Sequence, residues 1–340
     1  MPKVLRSGRT IVSVHEQGKR MTYELTRRTV LAGMSLGMGG ATLPAFARQH
    51  TDSVFLLSYF TDKDEGRDGL KLARSEDGYV FTPLGNGRGF LKPEVGQDKL
   101  MRDPQLSQGP DGLWHLVWTS DWFGSVIGHA TSRDLVRWSS QQTIPAMTAF
   151  PGARNSWAPE MTYDAKARDF VIMWSSSIDG RFGATPGARF DGLKLRPYYT
   201  RTRDFQRFAP TRLLFDPGTD SIDFTLLKLD GGGFRLIYKD ETHDVEQRRW
   251  LVSRAAASPV GPFGPVSAPF TGTMTEGPTV IRLGDRYLVY YDIYEKGHFG
   301  AASTTDFVHW QDETPRVRFP ESARHGTVIR VPRALADAIV

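Results

Sequence analysis

Two short signatures alternate along the chain, and their order restricts the fold more than any other feature. The first is a heptad: a small hydroxyl residue, any residue, Asp, and an aromatic at the end. It reads Ser75-Glu76-Asp77-Gly78-Tyr79-Val80-Phe81, and recurs at Ser132–Trp138, Thr202–Phe208 and Thr304–Trp310. A degenerate fifth copy is Ala257–Phe263. Physically this is a turn whose Asp accepts from backbone N–H groups while the aromatic packs between sheets. The second signature is a polar or acidic residue opening a strand: Asp103, Glu160, Asp223, Glu276 and His325, spaced 57, 63, 53 and 49 residues apart. That period fits one four-stranded blade per unit. A heptad precedes the first opener, and an opener follows the last heptad. N-terminal strands and a C-terminal strand should therefore complete one blade together and close a ring.

The expected architecture is all-β, a five-bladed β-propeller. Its blades fall at about 102–145, 157–215, 221–270 and 275–315, with 324–332 joined to 52–90. Runs such as Val54–Tyr59, Trp114–Trp118 and Phe234–Tyr238 are strand-like, and no long helical period interrupts them. A β-sandwich or two small all-β domains is the alternative, but neither gives a permuted repeat.

The 340 residues, 39% of them apolar, suffice for a large core. The net charge of +5 is misleading. Residues 1–47 hold seven Lys/Arg and two Glu, which leaves 36 basic and 36 acidic residues in the remainder. The body thus has no global field for a phosphate backbone, and no nucleic-acid partner is expected. With no cysteine, disulfides and thiolate chemistry are excluded.

The basic segment reads as a targeting sequence. Thr26-Arg27-Arg28-Thr29-Val30-Leu31 sets two arginines before a mildly apolar, Gly-rich run to Phe46, too short and polar for a permanent anchor. Ala45-Phe46-Ala47 supplies small residues for cleavage after Ala47. The segment resembles a twin-arginine export signal. Residues 1–47 are thus expected to be an export signal and 48–340 one catalytic domain, periplasmic or secreted, with no membrane association after signal removal. Met21, five residues before Thr26, is the expected start, with 1–20 untranslated. A buried helix from Arg27 is the competing reading.

In a propeller the innermost strands surround the axis, so the five openers converge on one pocket. Packing gains nothing from four carboxyls there; concentrated like charge is costly and signals function. Two carboxyls across a glycosidic bond suffice for hydrolysis, one protonating the leaving oxygen and one activating water. Plainer roles exist for each residue. Asp103 could cap a turn before Pro104, Asp223 could hydrogen-bond the rim, Glu276 could pair with an Arg, and Trp157 could be blade core.

The ordered run Arg102-Asp103-Pro104, Trp157-Ala158-Pro159-Glu160, Ile222-Asp223-Phe224, Glu276-Gly277-Pro278 and His325-Gly326-Thr327 resembles glycoside hydrolase family 43 over about residues 50–333. The resemblance implies a five-bladed propeller that hydrolyses with inversion and needs no cofactor. It implies Asp103 as general base, Asp223 as the residue that modulates and orients, and Glu276 as general acid. Many family members carry Asp where this chain has Glu160, which is expected to contact substrate or shape the pocket. Trp122, Trp157, Arg324 and His325 are further candidates for substrate binding, with Phe123, Arg154, Asn155, Arg102 and Lys239-Asp240-Glu241 nearby. A structural, hydrated Ca²⁺ near His325 is implied too, without direct ligation, because histidine suits that cation poorly.

The expected activity is exo-acting α-L-arabinofuranosidase or β-xylosidase, on oligo- or polysaccharide of plant type. The alternatives are an invertase-like retaining five-bladed glycosidase, which shares Arg-Asp-Pro but opens on a nucleophile motif missing before Asp103, and a non-catalytic carbohydrate-binding propeller. A sialidase reading from the Ser-x-Asp-Gly turn is weaker, since those turns are scaffold elements.

Overall fold

The computed structural model describes residues 11–16, 19–24, 52–186, 191–243 and 248–340. The chain divides into two compact units, 1–47 and 48–340. In the first, β1 (Ile11–Glu16) and β2 (Lys19–Glu24) pair antiparallel. The expected export segment, Thr26 to Ala47, lies outside the described residues. No helix among the described residues is long and apolar enough to cross a membrane.

The second unit is a five-bladed β-propeller. Its strands in chain order begin with β3 (Ser53–Thr61), β4 (Lys71–Ser75) and β5 (Thr82–Pro83). Blade 1 follows as β6 (Arg102–Gln108), β7 (Trp114–Thr119), β8 (Ile127–Ser132) and β9 (Gln142–Ile144). Blade 2 is β10 (Trp157–Asp164), β11 (Asp169–Ser176), β12 (Arg196–Thr202) and β13 (Arg212–Leu213). Blade 3 is β14 (Ser221–Lys228), β15 (Phe234–Asp240) and β16 (Trp250–Ala256). Blade 4 is β17 (Glu276–Leu283), β18 (Arg286–Ile293), β19 (His298–Thr304) and β20 (Gln311–Asp312). Finally β21 (Ala323–Pro332) pairs antiparallel with β3, giving blade 5 the order β21-β3-β4-β5. A one-turn helix, α1 (Arg333–Asp337), ends the unit.

Blade 3 has three strands rather than the expected four. Its fourth position is filled by a segment in which Ser267 and Phe270 donate to the carbonyls of Ser253 and Leu251. Pro259, Pro262, Pro265 and Pro269 thin out the donors that a regular ladder needs.

Strand side chains alternate faces, and here both faces are covered. All six residues of β7 are buried, for example. Each pair of neighbouring blades shares its own apolar core. Leu56, Leu72, Leu106 and Leu116 join blades 5 and 1, Ile127 and Trp174 join 1 and 2, and Met173 and Phe224 join 2 and 3. Ile237 and Val289 join 3 and 4, and Phe55 and Tyr290 join 4 and 5. The innermost strands touch in the cycle β6, β10, β14, β17, β21 and back to β6.

The heptads are turns that stitch the third and fourth strands. In each regular copy the fourth residue is left-handed: Gly78 (φ 79°), Leu135 (63°), Phe205 (54°) and Phe307 (60°). The opening hydroxyl accepts from that residue's N–H, as Ser132 does from Leu135 (2.8 Å), and the Asp accepts from the next two. These bonds hold the Asp134 carboxyl down at about 2, mainly through the N–H of Arg137.

Candidate active site

Every innermost strand carries a β-bulge at its opening end. In blade 1 the register jumps from Arg102↔Thr119 to Gln105↔Val117, with the same jump at Trp157/Glu160, Ile222/Thr225 and Glu276/Thr279; in blade 5 His325 alone is inserted, between Arg324↔Phe60 and Gly326↔Tyr59. The bulged residue is left-handed in four blades: Asp103 (φ 51°), Ala158 (49°), Asp223 (57°) and Gly277 (57°). Asp tolerates that region better than most residues, and such strain concentrates at functional sites.

The bulge corrects the expected equivalence of the five openers. Asp103, Asp223 and His325 occupy the bulge itself. Glu276 stands one residue earlier, level with Arg102, Trp157, Ile222 and Arg324. Glu160 stands two residues later, level with Gln105, Thr225 and Thr279. The bulge position of blade 2 is Ala158, which brings no charge.

Four of the openers, Asp103, Asp223, Glu276 and His325, meet in a pocket of about 160 Å³, lined also by Arg102, Thr119, Trp122, Trp157, Ile222, Lys239 and Glu241. His325 Nδ1 lies 3.2 Å from Asp103 Oδ1 and 3.9 Å from Asp223 Oδ1. Thr119 donates to Asp103 Oδ2 at 2.8 Å. Burial works against the Asp103 carboxylate, but the hydrogen bond and charge of His325, with Arg102 and Thr119, hold it below the usual range. His325 is driven the other way. Burial would lower it, yet Asp223 and Asp103 raise it to about 9, so its imidazole is charged at neutral pH.

Asp223 is 6% exposed. Its Oδ2 accepts from the Gly277 N–H at 3.0 Å. Burial, with Glu276 and Asp103 as like charges, pushes it up to about 6 against the pull of His325 and Lys239. Gly277 has a steric reason as well: a Cβ there would come within 2.5–2.7 Å of the His325 ring.

Glu276 is gripped by two cations. Arg324 Nη2 donates to Oε1 and Lys239 Nζ to Oε2, both at 3.0 Å. Arg324 also donates to Asp292 Oδ2 at 2.5 Å and pairs with Asp62. Lys239 is buried, pairs with Glu241 as well, and lies 4.9 Å from the centre of the Tyr294 ring. Glu276 and Glu241 raise Lys239 well above the usual lysine range despite burial. Neither Asp62 nor Asp292 stood out in the sequence, because each reaches the site only through pairing of distant strands.

An aromatic ledge borders the pocket. Trp157 Nε1 donates to the Trp122 carbonyl at 2.7 Å, and the two rings meet edge-on. Phe123 tilts against Trp157, and Arg102 lies over Trp122. Trp122 and Phe123 are exposed. Arg154 stacks over Phe123 at this rim, whereas Asn155 is fully buried, bonding Ser175 and Ser177 as scaffold.

Glu160 is not at the mouth. It lines an axial channel of about 290 Å³ with Gln105, Thr225, Thr279 and Thr327. Thr225 Oγ1 donates to it at 2.7 Å, and burial pushes its carboxyl up to about 7. Of the groups near His325, the channel offers a cation the Glu160 carboxyl and the orphaned Gln105 Oε1. Calcium takes six to eight oxygens, and the charged His325 presents no lone pair. Among the described residues no cluster of three or more His, Asp or Glu could hold a metal. The hydrated Ca²⁺ expected near His325 would take most of its oxygens from water.

A family model described as "Probable glycosyl hydrolase domain", of the family 43-related group, matches residues 52–337. No curated protein matches the chain. Among solved structures, a thermostable family-43 glycoside hydrolase is 16% identical at a TM-score of 0.50, covering 62% of this chain and 71% of its own. The α-L-arabinofuranosidase from Lactobacillus brevis is 16% identical at 0.52, covering 63% and 72%. These likenesses carry the fold, and the match over residues 52–337 carries the family: the chain belongs to the glycoside hydrolase family 43-related enzymes, built on a five-bladed β-propeller.

Proposed function

We propose that this glycoside hydrolase cleaves with inversion, removing terminal α-L-arabinofuranosyl or β-xylosyl units from plant-type polysaccharide fragments. The observation that carries the reading is the convergence of neighbouring carboxyls on His325 with opposite shifts: Asp103, 3.2 Å from its Nδ1, is held below the usual range, and Asp223, 3.9 Å away, is pushed up to about 6. An ionised carboxylate serves as general base toward water, and a set of adjacent carboxyls retains a proton near neutrality. Asp103 takes the proton of the attacking water. Glu276 gives a proton to the leaving oxygen. Asp223 accepts from the Gly277 N–H and so fixes the strand that presents Glu276. Lys239 and Arg324 each occupy one lone pair of Glu276, leaving another on each oxygen for the transferred proton.

The small pocket supports exo action, since it suits one terminal sugar ring, and Trp122 and Trp157 offer apolar surface beside it. The Lactobacillus brevis neighbour is named for arabinofuranoside, which supports that sugar as the first to try. The test is a panel of nitrophenyl glycosides and natural oligosaccharides, with proton NMR of the fresh product anomer. Release of the anomer opposite to the substrate's supports the reading; the same anomer, or no release from any substrate, overturns it. We further infer that residues 26–47 direct twin-arginine export, placing the enzyme in the periplasm or outside the cell. The exported protein should then begin at Arg48; a mature chain starting well before it would refute this.

A further inference from the structure

Beside the catalytic pocket lies a cleft of about 830 Å³ between blades 5 and 4. Its walls come from the end of β3, the start of β4, the β18–β19 hairpin and the entry to β21. Those are the same ends of the strands that carry the bulges, so the cleft opens on the catalytic face. Three observations tie it to the chemistry. Arg324 lines the cleft and donates to Glu276. Asp62 lines the cleft and pairs with Arg324 and with Arg102 of the pocket. Tyr294 lines the cleft and places its ring over Lys239, the other partner of Glu276. The cleft therefore lies on the Glu276 side of the pocket, whereas the aromatic ledge lies beside blades 1 and 2.

Its lining sets the ligand class. Asp62, Asp68 and Glu321 are matched by Lys63, Lys71 and Arg324, so no net charge selects an anion. The volume falls within the ~300–1,000 Å³ typical of ligand clefts, well above the roughly 160 Å³ of the pocket. A dense mix of donors and acceptors without net charge suits the hydroxyls of a neutral sugar chain. In the proposed reaction Glu276 protonates the leaving oxygen, so the leaving group departs on its side.

We propose that the cleft between blades 4 and 5 binds the leaving portion of the substrate, a neutral glycan chain of several units. The enzyme then favours polymer or long oligosaccharide ends over short glycosides. This inference rests on the hydrolase reading with Glu276 as acid.

The experiment compares wild type with Lys63→Trp and Glu321→Trp, two exposed cleft residues away from the reacting groups. The probes are the nitrophenyl glycoside cleaved fastest and linear oligosaccharides of the same sugar, two to five units long. In wild type, kcat/KM should rise by about ten-fold or more with chain length, because remote binding is spent at the reacting centre. Both variants should lose most of that gain and keep the nitrophenyl activity. A flat length dependence, or variants that change both substrate types alike, overturns the cleft inference while leaving the hydrolase reading intact. No cleavage of any glycoside by wild type overturns the hydrolase reading, and the cleft inference with it.

Discussion

Blade 1 and blade 3 present the same side chain from the same backbone position, and the two aspartates are shifted in opposite directions. Asp103 and Asp223 both sit on a bulge, both left-handed, both facing His325. Asp103 has the shorter contact with the imidazolium, a Thr119 hydroxyl and the nearby Arg102, and it is held ionised. Asp223 has a backbone N–H and two carboxylates as neighbours, and it is pushed to about 6. The fold supplies equivalent positions; the second strands and adjacent blades decide what each carboxyl can do. One residue type at one backbone position is thus shifted both down and up without a change of backbone.

The largest expected effect tests the difference in role. Asn is tolerated at positive φ, so Asp103→Asn should preserve the bulge and remove the base, lowering kcat by roughly 10²–10⁴-fold. Glu276→Gln should cost as much with natural leaving groups that need protonation, and less with an activated nitrophenolate that departs unaided. Steady-state kinetics on both substrate kinds checks this. Near-normal turnover in both variants would remove the proposed roles.

The next effect concerns stability, where the two aspartates should differ in sign. The folded value of Asp103 lies below its unfolded one, so its contribution is present above about pH 4 and is lost as pH falls through the depressed value. Asp223 is raised, so the unfolded chain holds fewer protons between about pH 4 and 6, and stability falls as pH rises through that window. At pH 7.5 Asp103→Asn should therefore lower the melting temperature. Asp223→Asn should raise stability, by on the order of 1–2 kcal/mol, while impairing activity. Denaturant melts of the two variants at pH 5 and pH 7.5 measure this, and shifts of equal sign would erase the distinction.

The smallest effect sharpens the cause. Lys239 favours the ionised form of Asp223. Lys239→Met should move the pH–rate limb that reports Asp223 upward by about half a unit to one unit, whereas Lys239→Arg should leave it in place. A limb that stays fixed in both variants would show that Lys239 acts on Glu276 geometry alone.

The blade plan was legible because it depends on local chemistry. Each heptad carries its own hydroxyl, its own Asp and its own aromatic, and each forms its turn within seven residues. Asp103, Asp223, Glu276 and His325 were legible from order alone, and they line one pocket. The register around them was not. Pro104, Pro159 and Pro278 look alike in sequence, but only pairing with the second strand shows that Glu160 falls beyond the bulge and faces the channel. Lys239 was noted merely as a residue beyond an aromatic strand. Its contact with Glu276 crosses from blade 3 to blade 4, and Asp62 reaches Arg324 across 262 residues of sequence. Such contacts leave no trace in local pattern.

The pairing of β21 with β3 ties completion of the pocket to closure of the ring. Arg324 and His325 lie on β21, far along the chain from Asp103, Asp223 and Glu276. Without that strand blade 5 has no inner strand, Asp103 has no imidazole beside it, and Glu276 loses one of its two cations. Architecture and pocket are therefore one event: the seam that shuts the propeller is the same one that assembles its charged centre.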